Sequence, residues 1–200
     1  MRGSLIVISG PSGAGKGTVL AKLDNIYYGL TRSISVTTRA PRKGEVEGVH
    51  YFFRSDKQFD EMLSRGEFLE TANVYDKRYG TPAFYVDKLL AEGKDVVLEI
   101  DTVGALNVKA MRPEAILIFL APPSFSALKD RLVGRGTESE EQISLRLSKT
   151  SEEIAKAELY DYIVINDEVD MAAEHLRSII MASHLRTVNN TDFIKDFMRR

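Results

Sequence analysis

The chain has 200 residues, 44% of them hydrophobic and 28% charged, with a formal net charge of −2. That length fits one domain with a substantial core, and the near-neutral balance argues against coating nucleic acid or an anionic membrane through a basic excess. Cysteine is absent and His50, His175 and His184 are scattered without ligand spacing, so disulfides and thiolate sites are excluded and no histidine metal centre is indicated.

In chain order, Leu5–Ser9 is a continuous apolar run, the pattern of a parallel strand covered on both faces. It leads into Gly10-Pro-Ser-Gly-Ala-Gly15-Lys16-Gly17-Thr18 and a helical pattern over Thr18–Leu23. Gly10, Gly13 and Gly15 let successive backbone N–H groups converge on an anion. The following helix aims its positive end at the same point, and Lys16 adds a point charge. The arrangement predicts a site for a nucleoside triphosphate on Gly10, Pro11, Ser12, Gly13, Ala14, Gly15, Lys16, Gly17 and Thr18. In this P-loop, Gly17 stands where many such loops carry the hydroxyl, which is deferred to Thr18.

From Ser33 to about Gly93 the character changes. Ile34–Val36 and Phe68–Val74 alternate more, Tyr51–Phe53 is short and aromatic, and glycine and proline break the chain often. Ser55–Gln58 has the form of a capping box before a helix with Phe59, Met62 and Leu63 on one face. This stretch reads as a small mixed insertion with antiparallel strands, one face turned to a cleft. Within it, Arg39-Ala-Pro-Arg42 can present two guanidinium forks to one phosphate, and Tyr51 and Tyr79 can add phenolic donors.

Val96–Ile100, Ala115–Leu120 and Tyr162–Ile165 are further strand candidates, alternating with helical patterns over Val103–Met111, Phe125–Val133 and Val169–Leu185. Such alternation implies a parallel α/β sheet. Gly134–Ser139 is a polar, glycine-bearing loop between helices, the composition of a lid. Ser139–Gln142 resembles another capping box, opening a helix through Ile143, Leu147 and Ile154. Periodicity fades after Arg186, and Phe193, Ile194, Phe197 and Met198 suit a short amphipathic helix. No apolar run approaches the ~20 residues of a membrane span and no signal-peptide pattern is present, so the cytoplasm is the expected location.

The loop Gly10–Thr18, the run Ser33–Phe53 with Thr37-Thr-Arg39-Ala-Pro-Arg42 and Gly44-Glu45, Gly66–Glu70, Tyr79–Pro82, Leu98–Asp101, Leu117–Pro123, Arg131–Thr137 and Val164–Asp167 together resemble guanylate kinase, over nearly the whole chain. The resemblance implies a P-loop α/β core of about residues 1–33, 94–130 and 150–186. It also implies a GMP-binding insertion of about 34–93, a helical lid of about 131–149 and a tail of about 187–200. It implies ATP-dependent phosphorylation of GMP, and of dGMP, with Mg²⁺.

Carried over by position, Arg39, Arg42, Tyr51 and Tyr79 hold the GMP phosphate. Ser35, Glu70 and Thr81 read the guanine, with Glu45 and Asp101 in support. Arg131, Arg135 and Arg146 reach the ATP phosphates and Asn166 lies near the adenine. Lys16, Arg39, Arg131, Arg135 and Arg146 are the expected catalytic set. Val103 stands where the family commonly carries a glutamine. The base assignment has its own physical logic. Guanine offers N1–H and N2–H donors beside an O6 acceptor, so a carboxylate such as Glu70 accepts from both and a hydroxyl such as Ser35 donates to O6. AMP would leave that carboxylate facing a lone pair.

Two rivals stand beside this reading. A P-loop kinase for another phosphorylated acceptor, such as a ribose phosphate, would have no use for Glu70, Ser35 and Thr81. A non-catalytic scaffold module that binds phosphorylated peptide would have lost Lys16 and the lid arginines. Whether the chain forms a homo-oligomer is open on sequence grounds, as are the ligands of Mg²⁺.

Overall fold

The computed structural model describes residues 2–74, 76–134 and 140–199. Its core is a five-stranded sheet in the order β2-β7-β1-β8-β9. The strands are β1 (Leu5–Ser9), β2 (Leu30–Arg32), β7 (Asp95–Glu99), β8 (Ile116–Ala121) and β9 (Tyr162–Ile165). Every pairing in it is parallel.

The continuous apolar runs are explained by the two faces. Ile6 and Ile8 of β1 pack with Val19, Leu20 and Leu23 of α1 (Lys16–Ile26) and Leu176 and Ile180 of α7 (Val169–Ser183). Leu5 and Val7 pack on the opposite face, with Val86, Leu89 and Leu90 of α3 (Ala83–Ala91) and Ala105 and Val108 of α4 (Thr102–Met111). Each fully buried aliphatic side chain contributes about 1.5–3 kcal/mol relative to exposure.

A second, four-stranded sheet has the order β4-β3-β6-β5, with β3 (Val36–Thr37), β4 (Phe52–Phe53), β5 (Phe68–Val74) and β6 (Lys77–Pro82). β3 pairs antiparallel with β6, and β6 with β5, but β3 and β4 run parallel, where the insertion's strands are expected to be antiparallel. The chain between β3 and β4 is long enough to return to the same end of the sheet. A capping box opens α2 (Asp56–Ser64), with the Ser55 hydroxyl accepting from Gln58 N–H and Gln58 Oε1 accepting from Ser55 N–H. Phe59 and Met62 of α2 join Val36 and Phe68 in a small core of its own, where Phe59 stacks on Phe68 at 4.6 Å.

The remaining helices are α5 (Phe125–Gly134), α6 (Glu140–Ala155) and α8 (Thr191–Met198). Arg135 and Ser139, named above for the lid, lie outside the described residues. α8 leaves Phe193, Phe197 and Met198 exposed. Among the described residues no helix is long and apolar enough to cross a membrane.

Candidate active site

In an open parallel sheet, ligands bind outside the carboxyl ends of the strands where the order reverses. Here the chain uses β2 and β7 on one side of β1 and β8 and β9 on the other. The glycine loop follows β1, Asp101 follows β7 and Asn166 follows β9, so three separate stretches of sequence arrive at one edge.

The glycine loop is shaped by backbone conformations that other residues resist. Gly10 has φ 147°, and a Cβ there would strike the Leu120 carbonyl oxygen. Gly15, at φ 88°, is the N-cap of α1 and offers no side chain. No acidic residue sits in the first turn of α1, so its first N–H groups and dipole face the loop without competition from a carboxylate. Lys16 folds over its own loop, its Nζ donating to Gly10 O at 2.6 Å and Pro11 O at 3.2 Å. Gly17 and Thr18 are exposed, and the space around a Cβ at Gly17 is empty within 4 Å.

Two of the arginines expected to reach the phosphates touch this region. Arg146 of α6 donates to the Ser12 hydroxyl at 2.7 Å, and Arg131 of α5 donates to the Asn166 carbonyl at 2.9 Å. Asn166 is buried, and its side-chain N–H donates to Ala14 O at 2.7 Å.

The small sheet gathers the acceptor candidates by register. Ser35 and Thr37, Tyr51 and Phe53, Tyr79 and Thr81 alternate onto one face, while Val36, Phe52 and Gly80 take the other. A register shift between Phe68 and Glu70 does the rest. Two residues apart in a regular strand, they would share a face. The irregularity sends Phe68 into the α2 core and sets Glu70 opposite Thr81 on the cleft face. Thr81 Oγ donates to Glu70 Oε1 at 2.6 Å, and both residues are buried. Burial pushes the Glu70 carboxyl above its ordinary value, the Thr81 hydrogen bond opposes this, and the nearby Asp101 charge adds to the rise. Asp101 caps α4 by accepting from Gly104 N–H at 2.7 Å. A Cβ at Gly104 would lie 3.1 Å from Glu70 Oε2 and 3.4 Å from Asp101 Oδ1, which shows how closely the two carboxylates approach.

Arg39, Glu45, Tyr51 and Tyr79 form a second cluster on this face. Arg39 Nη2 donates to Glu45 Oε1 at 2.7 Å, and its guanidinium lies 5.4 Å from the Tyr51 ring centroid. Tyr51 meets Tyr79 edge-on at 6.0 Å. Glu45 Oε2 also accepts from the Arg42 N–H at 2.7 Å. The Arg39 guanidinium, followed by that Arg42 N–H, holds the Glu45 carboxyl down at about 2. Glu45 and then Tyr79 raise the Arg39 pKa. The Arg42 side chain is exposed beside this cluster, joined to it through its main chain.

Between the sheets lies a cleft of about 270 Å³ lined by Ser35, Tyr51 and Thr81, and also by Arg32, Ser33, His50 and Glu99. No motif in the sequence marks those last four. Glu99 carried a signal nonetheless, as a carboxylate at the carboxyl end of a strand directly after the buried apolar run Val96–Leu98. Ser33 Oγ is buried there without a partner. Val103, in the first turn of α4, is exposed and makes no side-chain hydrogen bond.

The family model described as guanylate kinase matches residues 2–183. The chain belongs to the guanylate kinase family. It is 52% identical over 191 residues to a guanylate kinase of Caldanaerobacter subterraneus subsp. tengcongensis, spanning 96% of this chain and 93% of that relative. It is 50% identical over 198 residues to one of Bacillus cereus, spanning 98% and 96%. Among solved structures it resembles the crystal structure of guanylate kinase from Anaplasma phagocytophilum, with TM-score 0.69 and 32% identity over 93% of this chain and 88% of that one. A guanylate kinase has use for both halves of this edge, one for each nucleotide.

Proposed function

We propose that this chain transfers the γ-phosphoryl group of ATP to GMP, and to dGMP, yielding ADP and the guanine nucleoside diphosphate that supplies guanine nucleotide metabolism. One observation carries the choice of acceptor. A buried carboxylate, Glu70, is hydrogen-bonded by Thr81, and Thr81 lines the cleft between the two sheets together with Ser35 and Tyr51. A buried carboxylate left without donors is costly, and guanine's N1–H and N2–H supply two.

Ser35 stands to donate to O6, while Arg39, Arg42, Tyr51 and Tyr79 take the GMP phosphate, with Glu45 holding Arg39 in place. Asp101 supports the acceptor site from the start of α4, which it caps. On the donor side the loop from Gly10 to Thr18 cradles the ATP phosphates. Arg131, Arg135 and Arg146 approach from the lid, and the adenine lies toward Asn166. Incoming phosphate competes with the loop carbonyls for Lys16. The acceptor phosphate has a second pKa near ~6 and is largely dianionic at neutral pH, so no general base is required. One of its oxygens bonds to the γ-phosphorus as the bond from that phosphorus to the bridging oxygen breaks, and the electron pair leaves with ADP. Rate enhancement comes from aligning two polyanions and neutralising the equatorial oxygens, work that falls to Lys16 and the arginines.

Among the described residues no group of three or more acidic or imidazole side chains could hold a metal. An Mg²⁺ held with ATP would need only one or two oxygen donors from the chain, with water and phosphate oxygens completing its shell. Ser12 accepts from Arg146, which leaves the exposed Thr18 as the loop hydroxyl to join the metal directly or through water. When bound, the ion neutralises charge on the β- and γ-phosphates. The test is ADP formation in a coupled assay with ATP and each of GMP, dGMP, AMP, CMP, UMP and dTMP. Turnover confined to GMP and dGMP is expected. Equal rates with GMP and AMP, or no turnover with any acceptor, would refute the reading.

A further inference from the structure

Asn166 is 2% exposed and meets three parts of the donor side at once. Its main-chain N–H donates to Ala121 O at 2.8 Å, tying the end of β9 to the end of β8. Its side-chain Nδ2 donates to Ala14 O at 2.7 Å. Its main-chain carbonyl accepts from Arg131 Nη2 at 2.9 Å. The side chain therefore grips the glycine loop while the main chain grips a lid-side arginine. The fit to the loop is close, since a Cβ on Gly15 would lie 2.5 Å from Asn166 Nδ2. Gly15 is the residue before Lys16, so what fixes this turn also fixes where the lysine starts.

The partner chosen for Arg131 matters. Arg32, Arg54, Arg78 and Arg112 each pair with a carboxylate. Among the described residues no ion pair is formed by Arg131, which is held by a carbonyl. A carbonyl orients a guanidinium without neutralising it, so the charge stays available to an anion. Two atoms of this knot, Asn166 Oδ1 and Arg131 Nη1, are buried without hydrogen-bond partners. Unmet buried polar groups are expensive and tend to persist where function demands them.

We infer that Asn166 is a positioning residue for phosphoryl transfer. Its side-chain amide holds the Ala14 carbonyl and thereby sets both the turn that presents Lys16 and the carbonyl that aims Arg131. The inference rests on the proposal that Arg131 acts on the ATP phosphates. It differs from a contact between Asn166 and adenine, which would act on ATP affinity alone.

Asn166→Asp keeps the size of the side chain but replaces the N–H donor with an ionised acceptor that the Ala14 carbonyl repels. The experiment is a double-mutant cycle of Asn166→Asp and Arg131→Ala, reading kcat, KM for each nucleotide and Tm. Asn166→Asp is expected to lower kcat about 10–100-fold, as sub-ångström to 1 Å misplacement does, with KM for GMP unchanged. The double variant should fall less than about 3-fold below Arg131→Ala, because the two losses share one cause. Losses that multiply would overturn the inference while leaving the role of Arg131 standing. So would a raised KM for ATP with kcat unchanged. An unaltered kcat in Arg131→Ala would instead overturn the role of Arg131 and this inference with it. Should Asn166→Asp be unfolded at the assay temperature, Asn166→Ser, whose hydroxyl is too short to reach as the amide does, runs the same cycle and is read the same way.

Discussion

The two halves of the site are built from different materials. The glycine loop stands on β1, whose every residue is buried, and is shaped by backbone: positive φ angles, carbonyls and the N–H groups of a helix end. The facing half stands on a short-stranded sheet with a small core of Val36, Phe59, Met62 and Phe68, and its chemistry is carried by side chains. Arg39 pairs with Glu45, and Thr81 with Glu70. A backbone cradle suits what all triphosphates share, whereas placed carboxylates and hydroxyls suit the edge of one base. In this account selectivity for the acceptor resides in the insertion and the driving chemistry in the loop.

The largest expected effect comes from breaking the loop half alone. Lys16→Ala should reduce kcat on the order of 10²–10³-fold while calorimetry finds GMP affinity retained. Loss of GMP binding with ATP binding intact would mean that the two halves had been assigned the wrong way round.

An intermediate effect concerns the insertion. The Glu45 carboxyl is held at about 2, below its ordinary 4.5, so it stabilises the folded chain above pH 4.5 and this contribution is lost as pH falls toward 2. The gap in urea midpoint between the wild type and Glu45→Gln should therefore be larger at pH 7 than at pH 3. A gap that does not change with pH would remove the Arg39–Glu45 pair from the account of this face.

The smallest effect tests the loop's one departure from the commoner P-loop. Gly17 lies in the first turn of α1 with nothing within 4 Å of a Cβ position, and its φ is not positive. Gly17→Ala should stabilise the protein by about 0.5–1 kcal/mol, raising Tm by ~1–4 °C in a thermal melt. A fall in Tm would show that the turn needs glycine after all.

What the sequence revealed follows the same division. The loop is local, so strand, glycines and lysine could be read in a row, as could the buried runs of β1, β7 and β8. β2 escaped notice because Leu30–Arg32 is three residues long and half exposed. The parallel pairing of β3 with β4 was also hidden, since two-residue strands hold no directional signal. The acceptor face is assembled by register between distant segments. Glu70 reaches it through an irregularity that no alternation pattern in Phe68–Val74 foretells. Arg39, Arg42, Tyr51 and Tyr79 are legible as a phosphate-binding set from their side chains, Ser35, Glu70 and Thr81 only through the family resemblance, and their common face emerges from the strand pairing. Asn166 was placed by that same resemblance beside adenine, but its grip on Ala14 spans 152 positions and has no local signature.

The most direct test of the central claim is the ratio of kcat/KM for GMP to that for AMP, measured for the wild type and for Glu70→Gln. Ionised Glu70 is disfavoured by burial, and stability from its protonated form is lost as pH rises through its raised value. Removing the charge should therefore raise Tm at neutral pH while it weakens use of GMP. The account predicts a wild-type ratio of ~10⁴ or more, and a fall of at least about 10-fold in Glu70→Gln with its Tm not lowered. An unchanged ratio in a folded Glu70→Gln would contradict the claim that this carboxylate reads the guanine.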